Sequence, residues 1–545
     1  MTEFNLAVTA RAVAEAIPEA EFLVSRDTRL TFAEMSDRSS RFGRFLVDRG
    51  FSVHSERSAL ANHEIGQDTL GLYLHNCPEF LIANLGAYEA RAVPFNINYR
   101  YVAEELTYLV RDSDARGVVF HSTFAETLAH VLGGTTGPLT LVQVPDDSGN
   151  ALLPGAVWFD DALAQSDPDP GVEPSPDDIY MIYTGGTTGM PKGVLWRQAD
   201  VFVAAMGGRN RNNGEEWPDL DAVIAIARRG GTRLMPLPPF IHGAGQWACF
   251  NALMNGSTVV LPNQVVHLDP VDIWSTVDRE RVNTLIMVGD AFARPLAEEL
   301  ERGDHDLSSL NALVNAGAPL HVDTKRRMLE LLEGRMIIDT LGSSETGAQA
   351  SAVATEAAGS QSGRFTPGTD MAVVDSTRTR LAEPGEDDMG WLAQRGRLPL
   401  GYLGDPDKTA ATFPVVVGER MALPGDRAQL DDDGNLVLHG RDSATINSGG
   451  EKIFAEEVEQ ALMVHPAVVD TVVCGRPSER WGSEVCAVVA LRGDVGDDEL
   501  LATASESIAR YKLPKLIVRR DVIVRSPAGK ADYRWAREQV ADEGS

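Results

Sequence analysis

Short apolar runs that each end in a loop of small residues recur through the middle of this sequence. They cover residues 180–183, 282–288, 310–314 and 335–340. Segments with a helical pattern, such as 295–302 and 322–332, lie between them. Strands that alternate with helices predict an α/β fold with a mainly parallel sheet. Ligands bind such sheets outside the carboxyl ends of the strands, so the loops are the expected place for a site.

The loop after residue 183 is the most distinctive of these loops. Residues 184–193 have the sequence Thr-Gly-Gly-Thr-Thr-Gly-Met-Pro-Lys-Gly. Glycine lets backbone N–H groups turn toward an anion at positive φ, and successive N–H groups form an anion-binding concavity. Pro191 before Lys192 and Gly193 after it distinguish the loop from a Walker A loop. The loop therefore predicts a binding site for a polyphosphate.

The sequence changes character twice toward its C-terminus. Residues 363–402 are rich in Gly, Pro and Asp, which predicts a small β-rich subdomain. After Asp442 the pattern indicates a helix over 455–463, strands over 468–474 and 485–491, and a helix over 500–510. About a hundred residues of this kind suffice for a small domain. We therefore predict a large N-terminal α/β domain over residues 1–441 and a small mobile α+β domain over 442–545.

Composition restricts the partners and the compartment. The formal net charge of −30 at pH 7 disfavours nucleic acid and anionic membranes, because phosphate groups select basic surfaces. Residues 1–4 lack the basic and apolar segments of a signal peptide, and no uncharged apolar stretch reaches membrane-spanning length. The four cysteines show no C-x-x-C pair. These features predict a cytoplasmic protein without a disulfide or a structural metal.

Further motifs follow the glycine loop in a fixed order. They are PPFIHGAG at 238–245, NAGAPL at 315–320, LGSSETG at 341–347, PGD at 424–426, GRD at 440–442, INSGGEKI at 446–453 and SPAGK at 526–530. From about Thr31 to Lys530 the chain resembles the adenylate-forming superfamily of acyl-CoA synthetases, luciferases and peptide-synthetase adenylation domains. Within it, the chain looks most like actinobacterial acyl-CoA ligases for fatty acids and steroid side-chain acids.

The resemblance implies an ATP site. By family position, the phosphate-binding residues are Thr184, Gly185, Gly186, Thr187, Thr188, Gly189 and Lys192. The nucleotide-binding residues are Gly317, Ala318, Pro319, Gly342, Ser343, Ser344, Asp426 and Arg441. Asp426 suits the two ribose hydroxyls because a carboxylate is an acceptor with two oxygens. Thr184 and Glu345 are the expected Mg²⁺ ligands, since Mg²⁺ prefers oxygen.

The resemblance also implies two half-reactions. Lys530 matches the catalytic lysine that bridges the substrate carboxylate and the α-phosphate, where an ammonium stabilises developing negative charge. Asp442 matches the hinge of the C-terminal domain. The expected CoA-binding residues are Ser448, Gly449, Gly450 and Lys452.

The segment around His242 implies an apolar acid. Ile241 stands where amino-acid-activating relatives carry an aspartate, and an ammonium without a buried counter-charge is costly. The expected acyl pocket comprises His242, Gly243, Ala244, Gly245 and Gly289, and we expect the small residues at 243–245 to leave room for an acyl chain. Two positions depart from the family motif: Leu341 replaces an aromatic residue that stacks on adenine, and Ser344 replaces threonine but keeps the hydroxyl.

We therefore predict an AMP-forming acyl-CoA synthetase with Lys530, Glu345 and His242 as catalytic residues. Its substrates would be ATP, coenzyme A and a fatty acid or steroid side-chain acid. Three alternatives stay open: an enzyme that loads a carrier protein instead of CoA, a luciferase-like oxygenase, and a nucleotide-binding protein without catalysis. Whether the chain forms a homodimer is also open.

Overall fold

The computed structural model describes residues 3–101, 103–132, 139–184, 190–210, 213–357, 363–448, 451–478, 482–525 and 529–542. In these ranges the helices are α1 (Leu6–Ala16), α2 (Phe32–Asp48), α3 (Pro78–Glu89), α4 (Ala103–Asp112), α5 (Ala125–Leu132), α6 (Phe159–Ala164), α7 (Gln198–Ala205), α8 (Leu220–Ala227), α9 (Gly243–Met254), α10 (Pro270–Glu280), α11 (Gly289–Leu300), α12 (Val322–Leu331), α13 (Pro406–Thr412), α14 (Ala455–Met463), α15 (Asp497–Ala504) and α16 (Tyr533–Asp542).

The strands of the same ranges are β1 (Glu21–Ser25), β2 (Thr28–Thr31), β3 (Thr69–Tyr73), β4 (Val93–Asn96), β5 (Ala115–His121), β6 (Thr140–Val144), β7 (Ala156–Trp158), β8 (Ile179–Thr184), β9 (Lys192–Arg197), β10 (Arg233–Pro236), β11 (Thr258–Leu261), β12 (Thr284–Met287), β13 (Ala312–Ala316), β14 (Met336–Ser343), β15 (Gly347–Ala354), β16 (Arg364–Pro367), β17 (Met371–Val374), β18 (Gly390–Gln394), β19 (Gly401–Tyr402), β20 (Val415–Val416), β21 (Glu419–Arg420), β22 (Asp426–Leu430), β23 (Leu436–Arg441), β24 (Thr445–Ser448), β25 (Glu451–Phe454), β26 (Val468–Ser478), β27 (Gly482–Leu491) and β28 (Leu516–Arg519).

Two parallel blocks form the body of the N-terminal part. One is the sheet β4-β3-β5-β6-β7. The other is the run β1-β11-β10-β12-β13-β14 within a long sheet, in which α10, α11 and α12 connect successive strands from β11 to β14. This alternation confirms the predicted α/β class. Because the strands are parallel, their carboxyl ends open toward the same edge, where the loops after β12 and β13 lie.

The β-rich region is a continuation of the long sheet. After β14 the chain turns back as the antiparallel strand β15, and β16 pairs with both β15 and β23. The order then continues through β22, β18 and β17. The sequence pattern indicated a compact unit over 363–402, but main-chain pairing extends this region to Arg441 and joins it to the parallel block.

Several element boundaries differ from the sequence prediction, and three of them bear on the motifs or exceed a helical turn. Strand β14 continues through Leu341 to Ser343, with a bulge between Leu341 and Gly342, so this motif is a strand end and a tight turn. Helix α11 begins at Gly289, and Pro295 lies inside it. Proline is common in the first turn of a helix, so the sequence prediction began this helix at Pro295, six residues too late. Helix α15 ends at Ala504, well before the predicted residue 510.

The C-terminal sheet has the order β25-β24-β27-β26, with β28 parallel to β27. Helices α14 and α15 cover one apolar face, and α16 covers the other. Strand β23 of the long sheet ends at Arg441, and β24 of the C-terminal sheet begins at Thr445. A single 3₁₀ turn, Asp442–Ala444, therefore carries the chain from one sheet to the other.

Candidate active site

Strands β8 and β9 hold the two ends of the glycine loop. Thr184 at the end of β8 pairs with Lys192 at the start of β9. The Lys192 ammonium forms an ion pair with Asp405, whose side chain also accepts a hydrogen bond from Lys408 N at the start of α13. The bond from Lys192 lowers the pKa of the Asp405 carboxyl. The loop residues between the strands, Gly185, Gly186, Thr187, Thr188 and Gly189, lie outside the described residues.

Glu345 lies in the tight turn between β14 and β15. Its Oε1 atom accepts a hydrogen bond from the Tyr402 hydroxyl at 2.9 Å, and the Ser344 carbonyl accepts one from Trp196 Nε1 at 2.9 Å. Tyr402 belongs to β19 and Trp196 to β9, which pair in the sheet that carries Lys192. These two bonds hold the Glu345 carboxylate beside the hairpin of the glycine loop.

Two buried asparagines attach the 238–242 segment to the parallel strands. Asn96 accepts from Tyr183 N at 2.7 Å and donates to the carbonyls of Tyr183 and Ile241 at 2.9 and 2.8 Å. Asn76 accepts from Phe240 N at 2.7 Å. The end of β8 and the segment that leads to His242 are therefore fixed to each other by one side chain.

His242 directly precedes helix α9 and is partly exposed, but its Nε2 atom is buried and has no hydrogen-bond partner in the part of the chain that the structure describes. Burial, followed by the positive charges of Lys530 and Arg100, lowers the pKa of His242 to about 3. The imidazole is therefore neutral at physiological pH. The positive charge of Lys530, a residue distant in sequence, acts on His242 in the folded chain.

The predicted glycines of the acyl pocket do not all border open space. A Cβ atom at Gly245 would lie 2.5 Å from the Pro238 carbonyl oxygen, and one at Gly289, which has φ of +55°, would lie 2.5 Å from the Pro319 carbonyl oxygen. At Gly245 and Gly289, therefore, main-chain atoms occupy the space that a side chain would fill. Gly243 differs: its Cβ would lie 3.3 Å from the Trp247 ring. Ala244, the remaining pocket candidate, is partly exposed in the first turn of α9.

The loop after β13 contains the predicted adenine-side residues Gly317, Ala318 and Pro319. Asn315 donates to the Ala318 carbonyl and to Asp339 Oδ1, both at 3.0 Å, and its own oxygen accepts from Gly289 N at 2.7 Å. Asp339 in turn pairs with the buried ammonium of Lys325. This network ties the start of α11 to the loop after β13.

The predicted ribose-binding residues are neighbours on adjacent strands. Asp426 at the start of β22 lies opposite Arg441 at the end of β23, and Asp442 N donates to the Gly425 carbonyl at 2.9 Å. Leu341 packs against the apolar cluster of this part of the sheet. Gly342 and Ser343 complete β14 between Leu341 and the Ser344–Glu345 turn.

Lys530 is exposed at the edge of this site. Gly529 before it has φ of +69°, and its Cβ would lie 3.3 Å from Val288 Cγ1 at the start of α11, so the loop lies directly against the N-terminal part. Of the predicted CoA-binding residues, Ser448 and Lys452 lie on the paired strands β24 and β25. Gly449, Gly450 and the side chains of Arg441 and Lys452 lie outside the described residues.

Two known sequence patterns match this chain. The sequence pattern described as "AMP-binding enzyme" matches residues 10–403, and the one described as "AMP-binding enzyme C-terminal domain" matches residues 457–530. The chain belongs to the AMP-binding enzyme family. This confirms the family that the motifs predicted.

The sequence of this AMP-binding enzyme is 52% identical to medium-chain acyl-CoA ligase Mig of Mycobacterium avium, over 99% of each chain. It is 39% identical to 3-oxocholest-4-en-26-oate–CoA ligase of Rhodococcus rhodochrous, over 98% of this chain and 96% of that protein. The fold matches ATP-bound MatB from Rhodopseudomonas palustris with a TM-score of 0.80 at 20% identity, over 98% of this chain and 100% of that one. It also matches the anthranilate CoA ligase AuaEII with anthranoyl-AMP, with a TM-score of 0.80 at 22% identity, over 99% and 98% of the two chains. Among the described residues, no helix of this AMP-binding enzyme has the length and apolar character needed to cross a membrane.

Several residues that shape the site were missed from the sequence. Asn96 ends the short apolar strand β4. A polar residue at the end of an apolar run is the signal that identified the other loops, so it could also have identified Asn96. Tyr402, Asp405 and Arg100 had no such signal, because their partners are remote in sequence.

Proposed function

We propose that this AMP-forming acyl-CoA ligase activates medium-chain fatty acids. The observation that carries the choice of acid is the 52% identity, over almost the full length of both chains, to a protein named as a medium-chain acyl-CoA ligase. The relative named for 3-oxocholest-4-en-26-oate stands at 39% identity, and a second relative at 39% identity is named for medium- and long-chain fatty acids as well as for that steroid acid. We also propose that the reaction takes place in the cytoplasm.

In the first half-reaction, a carboxylate oxygen of the acid attacks the α-phosphorus of ATP in line. The bond between the α-phosphorus and the α,β-bridging oxygen breaks, and pyrophosphate leaves with the electron pair. In the second half-reaction, the CoA thiolate attacks the carbonyl carbon of the acyl-adenylate. The carbon–oxygen bond to phosphate breaks, and AMP leaves.

The positions of Lys530 and His242 support the first step. The neutral imidazole of His242 carries no positive charge, so it does not compete with Lys530 for the carboxylate of the substrate. Lys530 can therefore stabilise the charge that develops between the carboxylate and the α-phosphate. Lys192, at the mouth of the glycine loop, would hold the departing pyrophosphate once it exchanges Asp405 for a phosphate oxygen.

Asp426 and Ser344 would bind the nucleotide itself. Asp426 accepts from the ribose hydroxyls, since a carboxylate provides two acceptor oxygens. The Ser344 hydroxyl donates to the α-phosphate, while its carbonyl is held by Trp196.

Glu345 and Thr184 are suited to hold Mg²⁺. Tyr402 donates to Oε1 of Glu345, and none of the described residues donates to Oε2, so a hard carboxylate oxygen is available beside the glycine loop. Bound there, Mg²⁺ would neutralise charge on the phosphates that leave. The protein's own part is to orient Glu345 through Tyr402.

The second half-reaction requires different groups at the same carbon. We propose that the C-terminal domain turns about Asp442, withdraws Lys530 and brings Ser448, Gly449, Gly450 and Lys452 to the CoA thiol. The single 3₁₀ turn between the two sheets supports this position for the hinge, because few main-chain bonds would have to change.

The test is an acid and acceptor profile of the purified protein. We expect kcat/KM with CoA to be at least about tenfold higher for octanoate or decanoate than for 3-oxocholest-4-en-26-oate, since misfit in an apolar pocket costs 1–3 kcal/mol. A preference for the steroid acid would contradict the proposed substrate. Faster transfer to a phosphopantetheinyl carrier protein than to CoA would favour the carrier-loading alternative.

A further inference from the structure

The loop that bears Lys530 is closed by a residue to which no role has been assigned. Arg525 and Ala531 form an isolated antiparallel bridge, which brings the two ends of the loop together. The side chain of Arg525 also contacts the loop: its Nη1 atom donates to the Gly529 carbonyl at 3.2 Å. That carbonyl belongs to the peptide bond that leads into Lys530, so the guanidinium acts on the main chain next to the lysine.

Asp470 holds this guanidinium in place. Arg525 Nε donates to Asp470 Oδ2 at 2.8 Å, and Nη2 donates to Oδ1 at 2.5 Å. Nη2 also donates to the Thr471 carbonyl at 3.3 Å. The two side chains are 24% and 28% exposed, which places the pair between surface and core. A two-bond guanidinium–carboxylate contact fixes orientation as well as distance.

The start of strand β26, which carries Asp470, contacts the N-terminal part of the protein. The carbonyl of Val469, next to Asp470, accepts a hydrogen bond from Arg294 of helix α11. Six residues earlier, Val288 at the start of α11 lies against Gly529. The beginning of β26 and the Lys530 loop are therefore both seated on α11, and the Arg525–Asp470 pair is the link between them.

The charge of Arg525 is maintained by its surroundings. Burial lowers the pKa of the guanidinium, but its bond to Asp470 and the nearby carboxylate of Asp290 raise it. The pair also borders a cavity of about 720 Å³ between α11 and α14. Because the Arg525–Asp470 pair borders a cavity, replacing either side chain by a polar amide leaves no void in a packed core.

We propose that Arg525, oriented by Asp470, is a positioning residue that directs Lys530 toward His242 for adenylation. The proposal rests on the role of Lys530 proposed above. Arg525 does not touch substrate; it acts on the Gly529–Lys530 peptide. Once the C-terminal domain has turned and Lys530 has left the site, the pair has no part in thioester formation.

The test compares the two half-reactions in Arg525→Gln and Asp470→Asn. We expect the kcat of octanoate-dependent ATP–pyrophosphate exchange to fall about tenfold to a hundredfold, which is the effect of a catalytic group displaced by about 1 Å. Thioester formation from supplied octanoyl-adenylate should stay within about threefold of the parent rate, because Lys530 is not used there. Arg525→Lys should recover part of the exchange rate.

A matched control is Arg519→Gln, which removes another arginine–aspartate pair of the same domain, Arg519–Asp497, away from the loop. It should leave both half-reactions unchanged. The pair of substitutions Arg525→Gln and Lys530→Ala should be no slower in exchange than Lys530→Ala alone, because both act through one ammonium.

The outcomes separate the two proposals. Equal losses in both half-reactions, or losses that multiply in the double variant, would show that Arg525 is merely structural and overturn the inference. A slow Lys530→Ala with normal Arg525→Gln and Asp470→Asn would overturn the positioning role alone. A normal exchange rate in Lys530→Ala would overturn the proposed role of Lys530 itself.

Discussion

Replacing Gly245 by alanine tests the close packing of helix α9 against Pro238 and Pro239. The new Cβ would lie 2.5 Å from the Pro238 carbonyl oxygen and 2.7 Å from that of Pro239. Ordinary contacts of this kind begin near 3.4 Å, so the helix or the proline segment must move by roughly 0.7–0.9 Å. Overpacking of this degree costs about 1–3 kcal/mol.

Gly243→Ala is the matched control. Its Cβ would lie 3.3 Å from the Trp247 ring, so a few tenths of an ångström suffice. Both substitutions gain up to about 1 kcal/mol of helix propensity. The difference between the two variants therefore isolates the cost of the contact with the proline segment, which we expect to be about 1–3 kcal/mol.

The assays are denaturant unfolding and octanoate-dependent ATP–pyrophosphate exchange. Gly245→Ala should lower the free energy of unfolding relative to Gly243→Ala and should slow exchange by up to about a hundredfold, because His242 moves with the proline segment. Equal stability and equal activity of the two alanine variants would refute the reasoning, since Gly245 would then border open space after all.

Three further predictions follow from the same structure. Tyr402→Phe removes the hydrogen-bond donor to Glu345 Oε1. We expect ATP–pyrophosphate exchange by this variant to need several-fold more Mg²⁺, measured by metal titration. An unchanged titration would contradict the role of Tyr402 in orienting Glu345. Burial raises the pKa of Glu89 to about 7, so the folded state favours the protonated carboxyl and the protein loses stability as pH rises from about 4.5 through 7. The free energy of unfolding of Glu89→Gln, relative to that of the parent, should therefore increase by about 2–3 kcal/mol between pH 5 and pH 8. A difference that does not change with pH in unfolding experiments would exclude this cause. Asp442→Pro should slow thioester formation from octanoyl-adenylate more than it slows exchange; an unaffected overall rate would argue against the hinge.

The sequence identified what local chemistry determines. The glycine loop, the strand-end motifs and helix α14 were recognisable because each depends on neighbouring residues. The turn after β14 was assigned to a loop because its antiparallel partner, β15, has no distinctive pattern of its own.

Long-range contacts account for what was missed. Gly245 was taken for a pocket residue, because only the folded chain shows the Pro238 carbonyl against it. Glu459 lies in the predicted helix over 455–463, and only the folded chain shows that it accepts from Val473 N at 2.8 Å and that burial raises its pKa to about 8. Arg525 belongs to no sequence motif, because its bonds to Asp470 and to the Gly529 carbonyl are made only in the folded chain.

The central claim is that Lys530 serves acyl-adenylate formation and not thioester formation. The most direct measurement is the rate of each half-reaction in Lys530→Ala, with octanoate and ATP for the first and octanoyl-adenylate and CoA for the second. We predict that the first rate falls by at least about a hundredfold while the second stays close to that of the parent protein. Equal losses in both rates, or no loss in the first, would contradict the account.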